Sequence, residues 1–86
     1  MYMRRSGIII KSLDDEVLLI DEVTDSIFNL NQMGTAVWNL LNEPRTIEEI
    51  VEVLQAAFPD VSTEIIAEDT NQLLNRLVDK GLLQVT

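Results

Sequence analysis

Residues 26–41 read SIFNLNQMGTAVWNLL, and the repeat of their apolar positions changes in mid-stretch. Ser26, Phe28 and Leu30 alternate with Ile27 and Asn29, the two-residue repeat of a strand. After a joint of three or four residues at Asn31, Val37, Trp38, Leu40 and Leu41 recur at helical spacing. A sheet therefore runs almost directly into a helix, and the two must pack on each other. No catalytic constellation sits nearby, so the function must lie in those surfaces.

Upstream, Gly7–Ser12 (GIIIKS) and Glu16–Asp21 (EVLLID) read as two further strands, with a turn at residues 13–15 and a hairpin loop at 22–25. Connections this short cannot make parallel crossovers, so the three strands form an antiparallel meander ending at Ser26–Leu30.

Downstream, Asn31 is placed to cap a helix through about Asn42, and Pro44 ends it. Thr46-Ile47-Glu48-Glu49 is a capping box that opens a second helix through about Ala57. Its apolar stripe is Ile47, Ile50, Val51, Leu54 and Phe58. Pro59-Asp60 breaks it, and Ser62 caps a third helix with the stripe Ile66, Thr70, Leu73, Leu74 and Leu77. Gly81 suits the left-handed position after a helix. Leu82–Val85 reads as a short final strand or an apolar tail. The expected fold is α+β and winged helix-turn-helix-like: a three-stranded antiparallel sheet followed by a three-helix bundle. One domain is expected over residues 1–86, with residues 1–6 as a flexible lead-in.

The 86 residues contain neither cysteine nor histidine. Disulfides, thiol chemistry and cysteine zinc sites are excluded, and the commonest general base and metal ligand is missing. The lack of cysteine fits a cytoplasmic setting. The longest apolar runs, Ile8–Ile10 and Val17–Ile20, are too short to span a membrane. Arg4 and Arg5 precede no signal-like apolar run, so no signal peptide is expected. Net charge is −9, and Arg4, Arg5, Lys11, Arg45, Arg76 and Lys80 are scattered, which opposes nucleic-acid binding.

The many carboxylates lack calcium-loop spacing, and a solvated acidic surface explains them. Thr24, Ser26, Thr35, Ser62 and Thr63 have no base beside them and read as caps, turns and surface hydroxyls. The three glycines form no phosphate loop. Trp38 sits with Val37 and Leu41 on a short apolar helix, which marks it as core rather than a stacking platform. No catalytic residue, cofactor or metal is expected.

What remains is an exposed sheet edge. Ser26–Leu30 carries neither lysine nor proline and is weakly protected against an added strand. With the third helix beside it, strand and helix form a groove for an extended peptide, whose backbone pairs with the strand. Arg76 and Lys80, four apart on one helical face, are candidate partners for acidic peptide side chains. Cations placed near a helix C-terminus explain that pair equally.

The set Val17-Leu18-Leu19-Ile20, Ile27-Phe28-Asn29-Leu30-Asn31-x-x-Gly34-x-x-x-Trp38-x-x-Leu41, Arg45-Thr46-Ile47-Glu48-Glu49-Ile50 with Leu54, Asp69-x-x-x-Leu73-x-x-x-Leu77 and Gly81-Leu82-Leu83 resembles the PqqD-like family. The resemblance runs from about Gly7 to the C-terminus. It implies a recognition element for ribosomally made, post-translationally modified peptides. The leader of a precursor would bind as an added antiparallel strand on the third strand, beside the third helix. It would then be presented to a leader peptidase, cyclase or radical modifying enzyme.

On that basis the leader-binding positions are Ser26, Ile27, Phe28, Asn29 and Leu30 on the strand. On the helix they are sought among Asp69, Thr70, Leu73, Leu74, Arg76, Leu77 and Lys80. The compact N-terminus and the Leu30-Asn31-x-x-Gly34 joint look slightly more like the lasso-type members. The alternatives are a pyrroloquinoline-quinone-type or other radical-enzyme peptide chaperone and, from another class, a winged-helix nucleic-acid-binding protein. The latter would need the acidic segment Glu64–Asp79 as its recognition helix.

Overall fold

The computed structural model describes residues 1–14 and 16–86. Asp15, assigned to the first turn from sequence, lies outside the described residues. The elements run β1 (Tyr2–Arg4), β2 (Ile8–Leu13), β3 (Glu16–Asp21), β4 (Ser26–Leu30), α1 (Gln32–Leu40), α2 (Ile47–Ala57), α3 (Thr63–Asp79) and β5 (Leu83–Val85).

Strands β2, β3 and β4 form the antiparallel meander, in that spatial order. Leu19 is aligned with Ile10 on one side and Phe28 on the other, and Val17 with Leu30. These residues share the face that meets the helices, and Leu19 and Leu30 are fully buried there. The opposite phase sets Ile9, Ile20 and Ile27 in one row across the outer face, where Ile9 and Ile27 are exposed. The β3–β4 loop is held by the Val23 N–H, which donates to Asp21 Oδ1 at 3.0 Å. Asp25 adopts a left-handed φ of 58°, which aspartate tolerates in turns.

Each helix starts where a side chain satisfies an orphan amide. Asn31 Oδ1 accepts from the Gly34 N–H at 2.8 Å. Thr46 and Glu49 make the reciprocal capping box, and Ser62 Oγ accepts from the Ile65 N–H at 3.3 Å. Helix α1 stops at Leu40, short of Asn42, because its end tightens. The Leu41 N–H divides between the carbonyls of Val37 and Trp38 at 3.2 and 3.1 Å. Helix α3 ends in a Schellman motif. Gly81 has φ +75°, its N–H reaches the Val78 carbonyl at 3.0 Å, and the Leu82 N–H reaches that of Leu77 at 2.9 Å.

The sequence reading gave residues 1–6 no element of their own. The structure places β1 there, antiparallel to β5, with Tyr2 opposite Val85 and Arg4 opposite Leu83. The C-terminal segment is thus the strand of the two readings. Tyr2 also exchanges backbone bonds with Arg45 at 2.8 and 3.1 Å, tying β1 to the α1–α2 connection. The Arg4 Nε donates to the Trp38 carbonyl at 3.1 Å, and its guanidinium lies 4.7 Å from the centre of the Trp38 ring.

The core lies between the meander and the helices: Leu19 and Leu30 meet Val37, Trp38 and Leu41, and Ile50, Leu54, Ile66, Leu74 and Leu77 continue it. Leu82 and Leu83 close the end. Trp38 is 2% exposed, so its surface serves packing. Among the described residues no cluster suited to a metal ion is present, and no helix is long and apolar enough to cross a membrane.

Candidate functional site

The outer edge of β4 is the natural place to add a strand. Its inner edge pairs with β3 along its whole length, and among the described residues no strand pairs with the other edge. The edge of β4 lies beside a hollow walled by α1 and α3.

Two adjoining hollows follow this edge. One, about 220 Å³, is lined by Glu16, Phe28, Asn29 and Leu30 from the sheet and by Leu73 and Arg76 from α3. The other, about 300 Å³, continues between α1 and α3 past Met33, Val37, Asp69, Thr70 and Gln72. Asn31, Gly34, Leu73 and Arg76 border both, so the two form one groove.

The strand residues divide by phase. Phe28 is half-buried and faces the groove, and Leu30 is buried at its floor. Ser26 shares that phase and its Oγ accepts from Thr24 Oγ1 at 2.9 Å. Ile27 is 66% exposed on the outer face, so it offers the groove its backbone and not its side chain. Asn29 donates through Nδ2 to Glu16 Oε2 at 3.2 Å across the strands.

The α3 residues divide by helical angle. Asp69, Leu73 and Arg76 fall on one side of the helix and line the groove together. Thr70 lies at the floor, 1% exposed, and its hydroxyl has no partner among the described residues. Leu74 and Leu77 are fully buried core and do not border the groove. Lys80 is the exposed C-cap of α3 and does not border it either. Of the two cations read as a pair, Arg76 alone reaches the site. Its guanidinium lies 5.7 Å from the centre of the Phe28 ring and joins the helix wall to the strand wall. With Asp69 and Glu16 present, the groove carries both signs of charge.

The contribution of α1 was missed from sequence. Gly34 is in the first turn of α1, and a Cβ there would meet Leu30 Cδ2 at 3.2 Å and Asn31 Oδ1 at 3.3 Å. The bare backbone lets α1 begin hard against β4 and leaves the junction of the two hollows open. The Asn31-x-x-Gly34 joint carried the signal, since a capping Asn followed by a buried Gly marks a close approach. Nothing in the sequence indicated that Met33 and Val37 would face the same groove.

A groove with an unpaired strand edge on one side and, on the other, a helix wall that sets Leu73 among polar and charged side chains suits an extended polypeptide. Residues 16–83 match the family model described as Coenzyme PQQ synthesis protein D (PqqD). The chain is similar to a solved structure of TbiB1 in complex with the TbiA(beta) leader peptide, at 30% identity and a TM-score of 0.84. That match covers 98% of this chain and 96% of the other. A lasso peptide synthetase B1 complexed with its leader peptide shares the fold at 17% identity and a TM-score of 0.82, covering 98% of each chain. No curated protein matches the chain.

Proposed function

The chain belongs to the PqqD family, and from that premise and the groove we propose that it is a non-catalytic module that binds the leader of a ribosomally made precursor peptide. The leader adds as an antiparallel strand to the free edge of β4. Its inward side chains enter the hollows against Leu73, Phe28 and Arg76, while Asp69 and the unpartnered Thr70 hydroxyl supply polar contacts. The observation that carries this reading is the continuity of an unpaired edge with a hollow in which Phe28 and Leu73 stand among polar and charged neighbours. A relative 30% identical over nearly its whole length is described as a leader-peptide complex, which supports the same reading.

The pathway we propose is of the lasso type, in the cytoplasm, with the bound leader passed to a leader peptidase and then a cyclase. The Leu30-Asn31-x-x-Gly34 joint supports that branch over a radical-enzyme chaperone. A nucleic-acid role is disfavoured by α3, whose charged residues ahead of Arg76 are Glu64, Glu68 and Asp69.

Calorimetric titration with the synthetic leader encoded beside this chain tests the proposal. Saturable one-to-one binding is expected, with micromolar or tighter affinity, about −8 kcal/mol or better. Absence of heat and of any shift in size-exclusion elution would refute it.

A further inference from the structure

On the far side of α3 from the groove lies a separate hollow, about 490 Å³, walled by Ile47, Val51 and Gln55 of α2 and by Thr63 and Ala67 of α3. The α2 positions recur once per turn along about 12 Å of helix. Ala67 and Asp69 are roughly 200° apart around α3, so this slot and the leader groove sit on opposite flanks. An occupant of one leaves the other free.

The charge around the slot is one-sided. Glu48 and Glu52 form its rim on α2. Residues 46–75, which contain all of α2 and most of α3, hold seven of the chain's fifteen acidic residues and none of its six basic ones. We infer that the α2–α3 slot docks a cationic amphipathic helix carried by a partner protein. Apolar side chains at i, i+3, i+4 and i+7 enter between Val51 and Ala67, and lysines or arginines beside them meet Glu48 and Glu52. A second copy of this chain is a poor occupant, because it brings the same acidic surface and like charges oppose docking. The inference rests on the reading above: a module that presents a bound peptide needs a face for its receiver that the peptide does not cover.

The test uses the full chain, isotope-labelled for amide NMR, and a synthetic helical peptide about four turns long. The peptide carries leucines at the stated spacing with lysine and alanine elsewhere. One control scrambles the order so that the leucines share no face, and another replaces lysine by glutamate. Shifts at Val51, Gln55, Thr63 and Ala67 are expected. Each control should bind at least about tenfold more weakly, as should the Glu48→Lys, Glu52→Lys double variant, and binding should weaken with salt. Both side chains are exposed, and because Glu48 lies in the first turn of α2, where a cation opposes the helix dipole, the amide spectrum of the variant is compared with wild type to verify its fold.

Equal binding of the scrambled peptide, or shifts confined to Asp69–Arg76, would overturn the inference. The encoded leader is titrated in parallel into wild type and double variant, and equal affinity is expected. A leader that fails to bind wild type while the slot shifts persist would overturn the leader reading and leave the slot supported.

Discussion

Proline substitution along β4 separates the two edges of the strand. In an antiparallel strand successive amides point to opposite sides, so Ile27 and Phe28 send their N–H groups in opposite directions. One points to β3 and the other to the open edge. Proline in the β3-facing phase removes a ladder bond and leaves a carbonyl of β3 unpaired, at a cost of about 1–3 kcal/mol. In a domain of this size that lowers Tm by about 4–8 °C per kcal/mol. Proline in the open-edge phase removes no intramolecular bond. It deletes one donor to the leader, about 0.5–1.5 kcal/mol, or a twofold to twelvefold loss of affinity. The pyrrolidine ring also obstructs the approaching backbone and adds to the loss. The assay is thermal unfolding and leader calorimetry on Ile27→Pro and Phe28→Pro side by side. Because the Phe28 ring also lines the groove, Phe28→Pro is read against Phe28→Ala; beyond that side-chain loss, one proline should cost mainly stability and the other mainly affinity. If both fold like wild type and bind the leader undiminished, strand addition at β4 is refuted.

Leu73 borders both hollows, and Leu73→Ala should weaken the leader by about 1–2 kcal/mol, fivefold to thirtyfold, in the same calorimetry. Arg76→Ala should weaken leader binding measurably, whereas Lys80→Ala, outside the groove, should leave it unchanged; equal effects would contradict the placement of Arg76. The Glu49 carboxyl is held below its ordinary range chiefly by the bond from the Thr46 backbone amide, which outweighs the opposing effect of desolvation, with the Thr46 hydroxyl and Arg45 adding lesser lowering effects. Its contribution is therefore present above the unfolded glutamate pKa and is lost as pH falls through the lower folded value. A plot of Tm against pH should show a smaller acid-side decline for Glu49→Gln than for wild type, since glutamine retains the box without titrating.

The sheet and helices were legible because each is specified locally. Alternation marks β4, a short apolar run bounded by acidic residues marks β3, and caps at Asn31, Thr46 and Ser62 mark the three helix starts. Strand β1 was not legible. Tyr2-Met3-Arg4 is too short to show a repeat, and its pairing with Leu83–Val85 joins opposite ends of the chain. In the site, the open edge of β4 followed from the order of the strands. The helix wall did not resolve, because Leu73, Leu74 and Leu77 lie on one apolar stripe and a turn of a few tens of degrees decides core or groove. The structure assigns Leu74 and Leu77 to the core and Leu73 to the wall. Met33 and Val37 reach the groove only because α1 leans against β4 over Gly34, an arrangement set by tertiary packing.

The central claim is that the leader becomes a fourth strand of the meander, next to β4. Isotope-filtered NMR of the labelled leader on the unlabelled chain measures this directly. Cross-strand contacts from leader backbone protons to those of Ser26–Leu30, in antiparallel order, are predicted, together with side-chain contacts to Leu73. Leader contacts to the outer row of Ile9, Ile20 and Ile27, or to the α2–α3 slot, without contacts to the β4 backbone would contradict it.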